Sequence, residues 1–211
     1  MKREKLAIIG GGGHAKEVIE VAETKNYEII GIFAQESKIK KYPLLGYLDE
    51  LKHLKSEIDC VHVAIGYVNQ ADMVNRKKLI SLLEDEEFFF ATIISSNAYI
   101  SESAKIGKGV YISHFSLISS DVIIGDNTIL NYSSIIAHDT IIGKNSMISP
   151  KSFLGGNSEI KNNVLIGTGA LIMQGCTIGN NCFIGMGSVV REDVNDNCIA
   201  FGNPLKIKRP E

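Results

Sequence analysis

From Ile94 to Val190 every sixth residue is a branched aliphatic, 17 positions in a row made up of 14 Ile with Leu130, Leu154 and Val190. Two places before each of these, from Ala98 to Ser188, all 16 residues are Ala, Ser, Thr, Val or Cys. Residues two apart on an extended segment share a face, so both sets point into one narrow interior. Each hexapeptide is then a short flat strand plus a corner, and stacking like on like fills the interior without voids. A helix would need a 3.6-residue period, which the segment lacks. A period of six sustained over 97 residues specifies a β-helix. Seven of the aliphatics, at 106, 124, 142, 154, 166, 178 and 184, are followed by Gly. We read these glycines as supplying a positive φ at the corner. Elsewhere Asn127, Asn145, Asn163 and Asn181 are nearby, and Asn tolerates the left-handed region.

Before residue 94 the texture changes. Lys5 to Ile9 reads as a strand, Gly10 to Gly13 as a turn, and His14 to Thr24 as a helix through Ala15, Val18, Ile19 and Ala22. Strands are expected again at Glu28 to Phe33, Cys60 to Ile65 and Phe88 to Ile93, with helices at Leu48 to Lys55 and Asp72 to Leu83. This βαβαβ order implies a small parallel sheet with ligands at the carboxyl ends of its strands. The expected division is a small Rossmann-like α/β domain over residues 1–93 and a β-helix with a C-terminal tail over 94–211.

A chain of 211 residues with 45% hydrophobic content can furnish a proper core, and a net charge of −2 gives no reason to expect nucleic acid or an anionic membrane as partner. Apolar runs such as Val61 to Ile65 are too short to span a bilayer, and the N-terminus runs straight into a strand, so a cytoplasmic protein is expected. Cys60, Cys176, Cys182 and Cys198 lack paired CxxC spacing and read as small buried hydrophobes. No metal is expected.

The turn Gly10-Gly11-Gly12-Gly13-His14-Ala15-Lys16 places free backbone N–H groups at a helix start, a cradle suited to phosphate. Gly10, Gly12 and Ala15 meet a loose GxGxxA pattern, but the domain is half a doubly wound fold, so one nucleotide diphosphate fits better than a dinucleotide. Ala64-Ile65-Gly66-Tyr67-Val68-Asn69 is a second glycine turn on the same edge, where Tyr67 and Asn69 either meet a base or ribose or form a plain surface loop. In the repeats, His114 and His138 both fall two places past an aliphatic. If three hexapeptides make one coil, their separation of four puts them on different sides. His138 is followed by Asp139, and a histidine held by a carboxylate can act as general base near neutral pH.

The glycine-histidine opening, the Ala-Ile-Gly third strand, the unbroken hexapeptides, Asn131 through Asp139 and the closing Phe201-Gly202-Asn203-Pro204-Leu205-Lys206 together resemble bacterial nucleotide-amino-sugar acetyltransferases of the sialic acid O-acetyltransferase type, among them the bacillosamine and perosamine N-acetyltransferases. The likeness spans nearly the whole chain. It implies a homotrimer of left-handed parallel β-helices, with acetyl-CoA between adjacent subunits and a nucleotide-linked amino sugar on the N-terminal domain. It makes His138 the catalytic base, Asp139 its partner and Asn131 a contact to the substrate amine. Substrate contacts then fall on Gly11, Gly12, Gly13, His14, Lys16, Phe33, Ala34, Gly66 and Tyr67. Met147, Gly156, Gly167, Thr168, Gly187 and Lys206 fall to the coenzyme.

Two departures stand out. Where many members carry a second histidine nine residues past the base, this chain has Met147, so acyl positioning or the acyl group itself differs. At the end of the second strand, where an Asp often reads the base, the chain has Ala34 and Gln35. The expected activity is N-acetylation of a UDP- or dTDP-linked amino sugar in surface glycan synthesis. O-acetylation of a sialic-acid-like or other sugar hydroxyl is the alternative, and a zinc enzyme or bare scaffold is a third reading. A three-histidine zinc site needs imidazoles converging on one ion, and the repeats offer two on different sides.

Overall fold

A computed structural model describes residues 3–208. The N-terminal half is built from β1 (Glu4–Ile9), α1 (Gly13–Glu23), β2 (Tyr27–Phe33), α2 (Leu48–His53), β3 (Cys60–Val63) and α3 (Gln70–Asp85). Its parallel sheet runs in the order β2-β1-β3. The fourth strand expected at Phe88 to Ile93 is a correction: only the single bridge Val61↔Phe90 forms. Beyond it the chain turns into the first coil, and Ile93 pairs with Tyr111. The strands of the α/β sheet are apolar on both faces, with Ala7, Ile9, Val61 and Val63 packed on one side and Leu6, Ile8 and Cys60 on the other.

The second half is a left-handed parallel β-helix of about 6 turns. Two-residue strands stack into three flat faces. The first runs from Ile93–Ile94 to Phe183–Ile184, the second from Tyr99–Ile100 to Val189–Val190, and the third from Lys105–Ile106 to Thr177–Ile178. Each strand pairs with the one a full coil later, as Ile129 with Met147 and Ile135 with Phe153. The repeat aliphatics from Ile112 to Val190 form one buried column, each stabilising the fold by about 1.5–3 kcal/mol. The small hydroxylic residues beside them are satisfied by corner carbonyls: Thr128 Oγ1 donates to Gly143 O and Thr140 Oγ1 to Gly155 O.

The glycines after the aliphatics do something other than expected. The left-handed corner residue falls three places past the aliphatic, at Asn127, Asp139, Asn145 and Asn163 among others. The glycine one place past it instead faces the next coil. A Cβ on Gly155 would sit 2.4 Å from Gln174 N, and one on Gly125 would sit 2.7 Å from Lys144 N. Close approach of successive coils demands glycine there, and positive φ does not.

The outward residues of the first face, Ile93, Tyr111 and Ile129, are buried under the α/β half. Those of the second face, Tyr99, Leu117, Ile135, Phe153 and Leu171, are equally apolar and exposed, Tyr99 by 64%.

Candidate active site

The carboxyl ends of β1 and β3 come together under the glycine turn. Gly10 has φ +121°, and a Cβ there would lie 2.7 Å from Ala64 O, so a side chain would wedge the two turns apart. Gly10 N donates to Phe33 O at 3.0 Å and Ala64 N to Ile9 O at 2.8 Å. Gly11 is held against Glu36 and Ser37, whereas Gly12 and Gly13 face open space. Gly12 caps α1 without a side-chain hydrogen bond, and no acidic residue occupies the first turn. The first amides of α1 are therefore free donors at the positive end of a helix. Lys16 is exposed one turn on.

His14 leaves this turn toward the β-helix. Its ring meets Tyr111 edge-on at 5.1 Å, and its Nε2 is buried without a partner. His62 of β3 lies fully buried on the other side of Tyr111, with Nδ1 2.8 Å from Ala91 O. Burial pushes the His62 imidazole down to about 3, so it is neutral at any ordinary pH.

His138 stands at the corner between the second and third faces. Asp139, at φ +58°, turns its carboxylate back so that Oδ2 lies 2.7 Å from His138 Nδ1. With the proton on Nδ1 donated to Asp139, Nε2 is left as a free acceptor. One coil later comes Gly156, and a Cβ there would be 2.7 Å from both Cε1 and Nε2 of the ring. The imidazole thus lies in a seat that only glycine leaves open. Both side chains are about half exposed, so a ligand reaches them without rearrangement. His114, at a corner between the first and second faces, is engaged by Ser95, whose Oγ lies 2.7 Å from its Nδ1.

A cleft of about 440 Å³ opens between the start of α3 and the first face, lined by Tyr67, Met147, Leu165, Gly167, Thr168 and Phe183 among others. Gly187 N reaches the same corner, donating to Thr168 O at 2.8 Å. Lys206 is exposed on a hairpin whose other strand, Ile199–Phe201, borders the cleft through Ile199. Gly66 faces Met147, with 3.5 Å between its virtual Cβ and the methionine Cε.

The structure places the other expected site residues as follows. Phe33 and Ala34 are buried at the carboxyl end of β2. Tyr67 is also turned inward, its hydroxyl 2.7 Å from Asn145 O, and it contributes a cleft wall rather than a free contact. Asn131 is only 5% exposed and belongs to the corner between the first and second faces, away from His138 within one chain. Met147 is on the first face, in the cleft wall with Gly167 and Thr168, and Gly156 is under the imidazole. Two sets of residues therefore occupy different corners: the His138 imidazole with its seat, and the cleft with the glycine turns. Among the described residues no group of three His, Cys, Asp or Glu is placed to hold a metal ion, and no helix is long and apolar enough to cross a membrane.

The PglD N-terminal domain family matches residues 5–93, and the bacterial transferase hexapeptide family, six repeats to a unit, matches 121–156 and 157–192. PerB of Caulobacter crescentus, solved with CoA and GDP-perosamine, is 32% identical over 97% of both chains, with a TM-score of 0.90. The chain belongs to the bacterial sugar acetyltransferases of the hexapeptide type. The acetyltransferase domain of PglB from Neisseria gonorrhoeae, solved with acetyl coenzyme A, is 29% identical over 97% of this chain and 98% of its own, with a TM-score of 0.89. WeeI from Acinetobacter baumannii is 29% identical over 97% of this chain and 100% of its own, at 0.85. No curated protein sequence matches the chain.

For a hexapeptide sugar acetyltransferase, the residue whose neighbour the sequence reading did not anticipate is Gly156. Its signal was present, because residue 156 lies one coil, 18 positions, beyond His138, and such pairs stack. Arg76, buried between the two halves, left no such signal.

Proposed function

We propose that this chain is an acetyl-CoA-dependent N-acetyltransferase acting on the amino group of a nucleotide-linked amino sugar in surface glycan biosynthesis. The observation that carries the reading is the His138 ring, tethered by Asp139 through Nδ1, seated on Gly156 and open at Nε2. The sugar nitrogen attacks the thioester carbonyl carbon while Nε2 takes the proton from that nitrogen. A backbone N–H stabilises the oxyanion. The C–S bond then breaks, the acetyl group stays on nitrogen, and the CoA thiolate receives the proton from the imidazolium. Asp139 keeps the ring oriented and balances its transient charge.

The nucleotide diphosphate binds at Gly11, Gly12 and Gly13 with Lys16 beside it, where the open glycines and free amides of α1 favour an anion. Coenzyme A runs along the cleft corner past Gly167, Thr168 and Gly187, with Lys206 near its phosphates. Because cleft and base occupy different corners, one copy supplies the cleft and a neighbour supplies the His138 corner, and the exposed apolar second face is the surface on which copies meet. This supports a homotrimer. The buried, unpaired cysteines fit a reducing cytoplasm.

A panel of UDP-, dTDP- and GDP-linked amino sugars, set against sugars offering only hydroxyls and read by release of free CoA thiol, tests the proposal. Turnover confined to amino acceptors is expected. Turnover on hydroxyl acceptors alone would make the chain an O-acetyltransferase.

A further inference from the structure

Arg76 of α3 is 2% exposed, and among the described residues no carboxylate pairs with it. A buried guanidinium with no counter-ion is costly unless its donors are engaged. Its Nε donates to Ile65 O at 2.6 Å, and another nitrogen donates to the side-chain oxygen of Asn145. Burial lowers its pKa to about 10, which leaves the charge in place.

Asn145 begins a ladder along one edge of the β-helix. Its Nδ2 donates to Asn163 Oδ1 at 2.9 Å, Asn163 to Asn181 at 3.0 Å, and Asn181 to Asn197 at 2.9 Å. Below Asn145 the ladder stops: Asn127 Oδ1 is buried without a partner, while the Asn145 acceptor is taken by Arg76. The guanidinium therefore occupies the next rung. Tyr67, 2% exposed, touches the same place, its hydroxyl 2.7 Å from Asn145 O and 3.1 Å from Val164 O. Both anchors hold one short segment, Ile65 to Asn69. That segment borders the glycine turn at one end, through Gly10 against Ala64 and Ile65, and lines the cleft at the other through Tyr67, Val68 and Asn69.

We propose that Arg76 and Tyr67 are positioning residues that lock this segment to the asparagine ladder, and so fix where a sugar carried by the glycine turn points relative to the β-helix. This rests on the acetyltransferase reading above. Neither residue touches the reacting atoms. An apolar contact would hold the two halves together as firmly, whereas two directional hydrogen-bond anchors on one rung also fix their angle.

The test compares wild type with Tyr67→Phe, which keeps the ring and loses the hydroxyl, and with Arg76→Met. Both variants are expected to melt as folded proteins and to bind UDP, dTDP or GDP as the wild type does. Amide hydrogen exchange at Asp72 and Met73, whose N–H groups are held by Asn69 at the end of this segment, should accelerate about tenfold or more, with β1 and the coils unchanged. The kcat for acetyl transfer should fall about 10- to 100-fold, a larger factor than any change in the KM for acetyl-CoA, as expected for a misplaced acceptor. Unchanged exchange at Asp72 and Met73 in both variants overturns the proposal, as does a kcat loss that only tracks the folded fraction. A wild type that acetylates no acceptor sinks the acetyltransferase reading instead, and the exchange measurement, which needs no substrate, still decides the anchoring.

Discussion

His114 and His138 occupy the same place in the repeat, two residues past an aliphatic, and each is followed by a residue at left-handed φ, 59° at Phe115 and 58° at Asp139. The backbone is the same, yet the two imidazoles have different prospects. At the first corner the left-handed residue is a phenylalanine, the residue one coil later is Tyr132, and the ring is bound to Ser95. At the second the left-handed residue is a carboxylate, that carboxylate is the Nδ1 partner, and the residue one coil later is Gly156. Position in the repeat puts a histidine on the outside of a β-helix; the residues after and above it set whether it can serve as a base.

Four substitutions sharpen or break that contrast. His138→Ala should cost at least about 10²-fold in kcat while the melting temperature stays at the wild-type value. Gly156→Ala adds a methyl 2.7 Å from the ring; displacing the imidazole should lower kcat about 10- to 100-fold, with circular dichroism unchanged. Asp139→Asn keeps a residue content at left-handed φ but removes the carboxylate, and steady-state kinetics should show a loss of about tenfold. His114→Ala should leave turnover within about twofold of wild type, because surface changes away from the chemistry act weakly. If the His114 variant lost activity as the His138 variant does, the two corners would not differ in the way described.

The first and second faces make the same point at larger scale. Both carry an outward column of apolar residues, but the α/β half covers Ile93, Tyr111 and Ile129 and leaves Tyr99, Leu117 and Ile135 open. The repeat itself was legible because an interior that recurs coil on coil imposes the same residue type at each turn. Which face would be covered was not, since the outward residues are alike.

The site was legible in part for related reasons. The glycine turn and the His138-Asp139 pair are contiguous in sequence and were read from it. The roles of Tyr67 and Gly156 depend on contacts one domain or one coil away. Arg76 lies in the run Asn75-Arg76-Lys77-Lys78, which has the composition of a solvated helix face, and only the packing of α3 on the asparagine ladder reveals it as buried. The glycines after the aliphatics were assigned the wrong one of glycine's two properties. Sequence cannot distinguish a residue that needs positive φ from one that must lack a Cβ.

A crystal structure of the assembled protein with CoA and an amino-sugar nucleotide tests the central claim most directly. The account predicts the acceptor nitrogen within about 2.6–3.2 Å of His138 Nε2, or one water away, beside the CoA sulfur. A pantetheine arm that ends far from this ring, with the acceptor amine facing another residue, would contradict it.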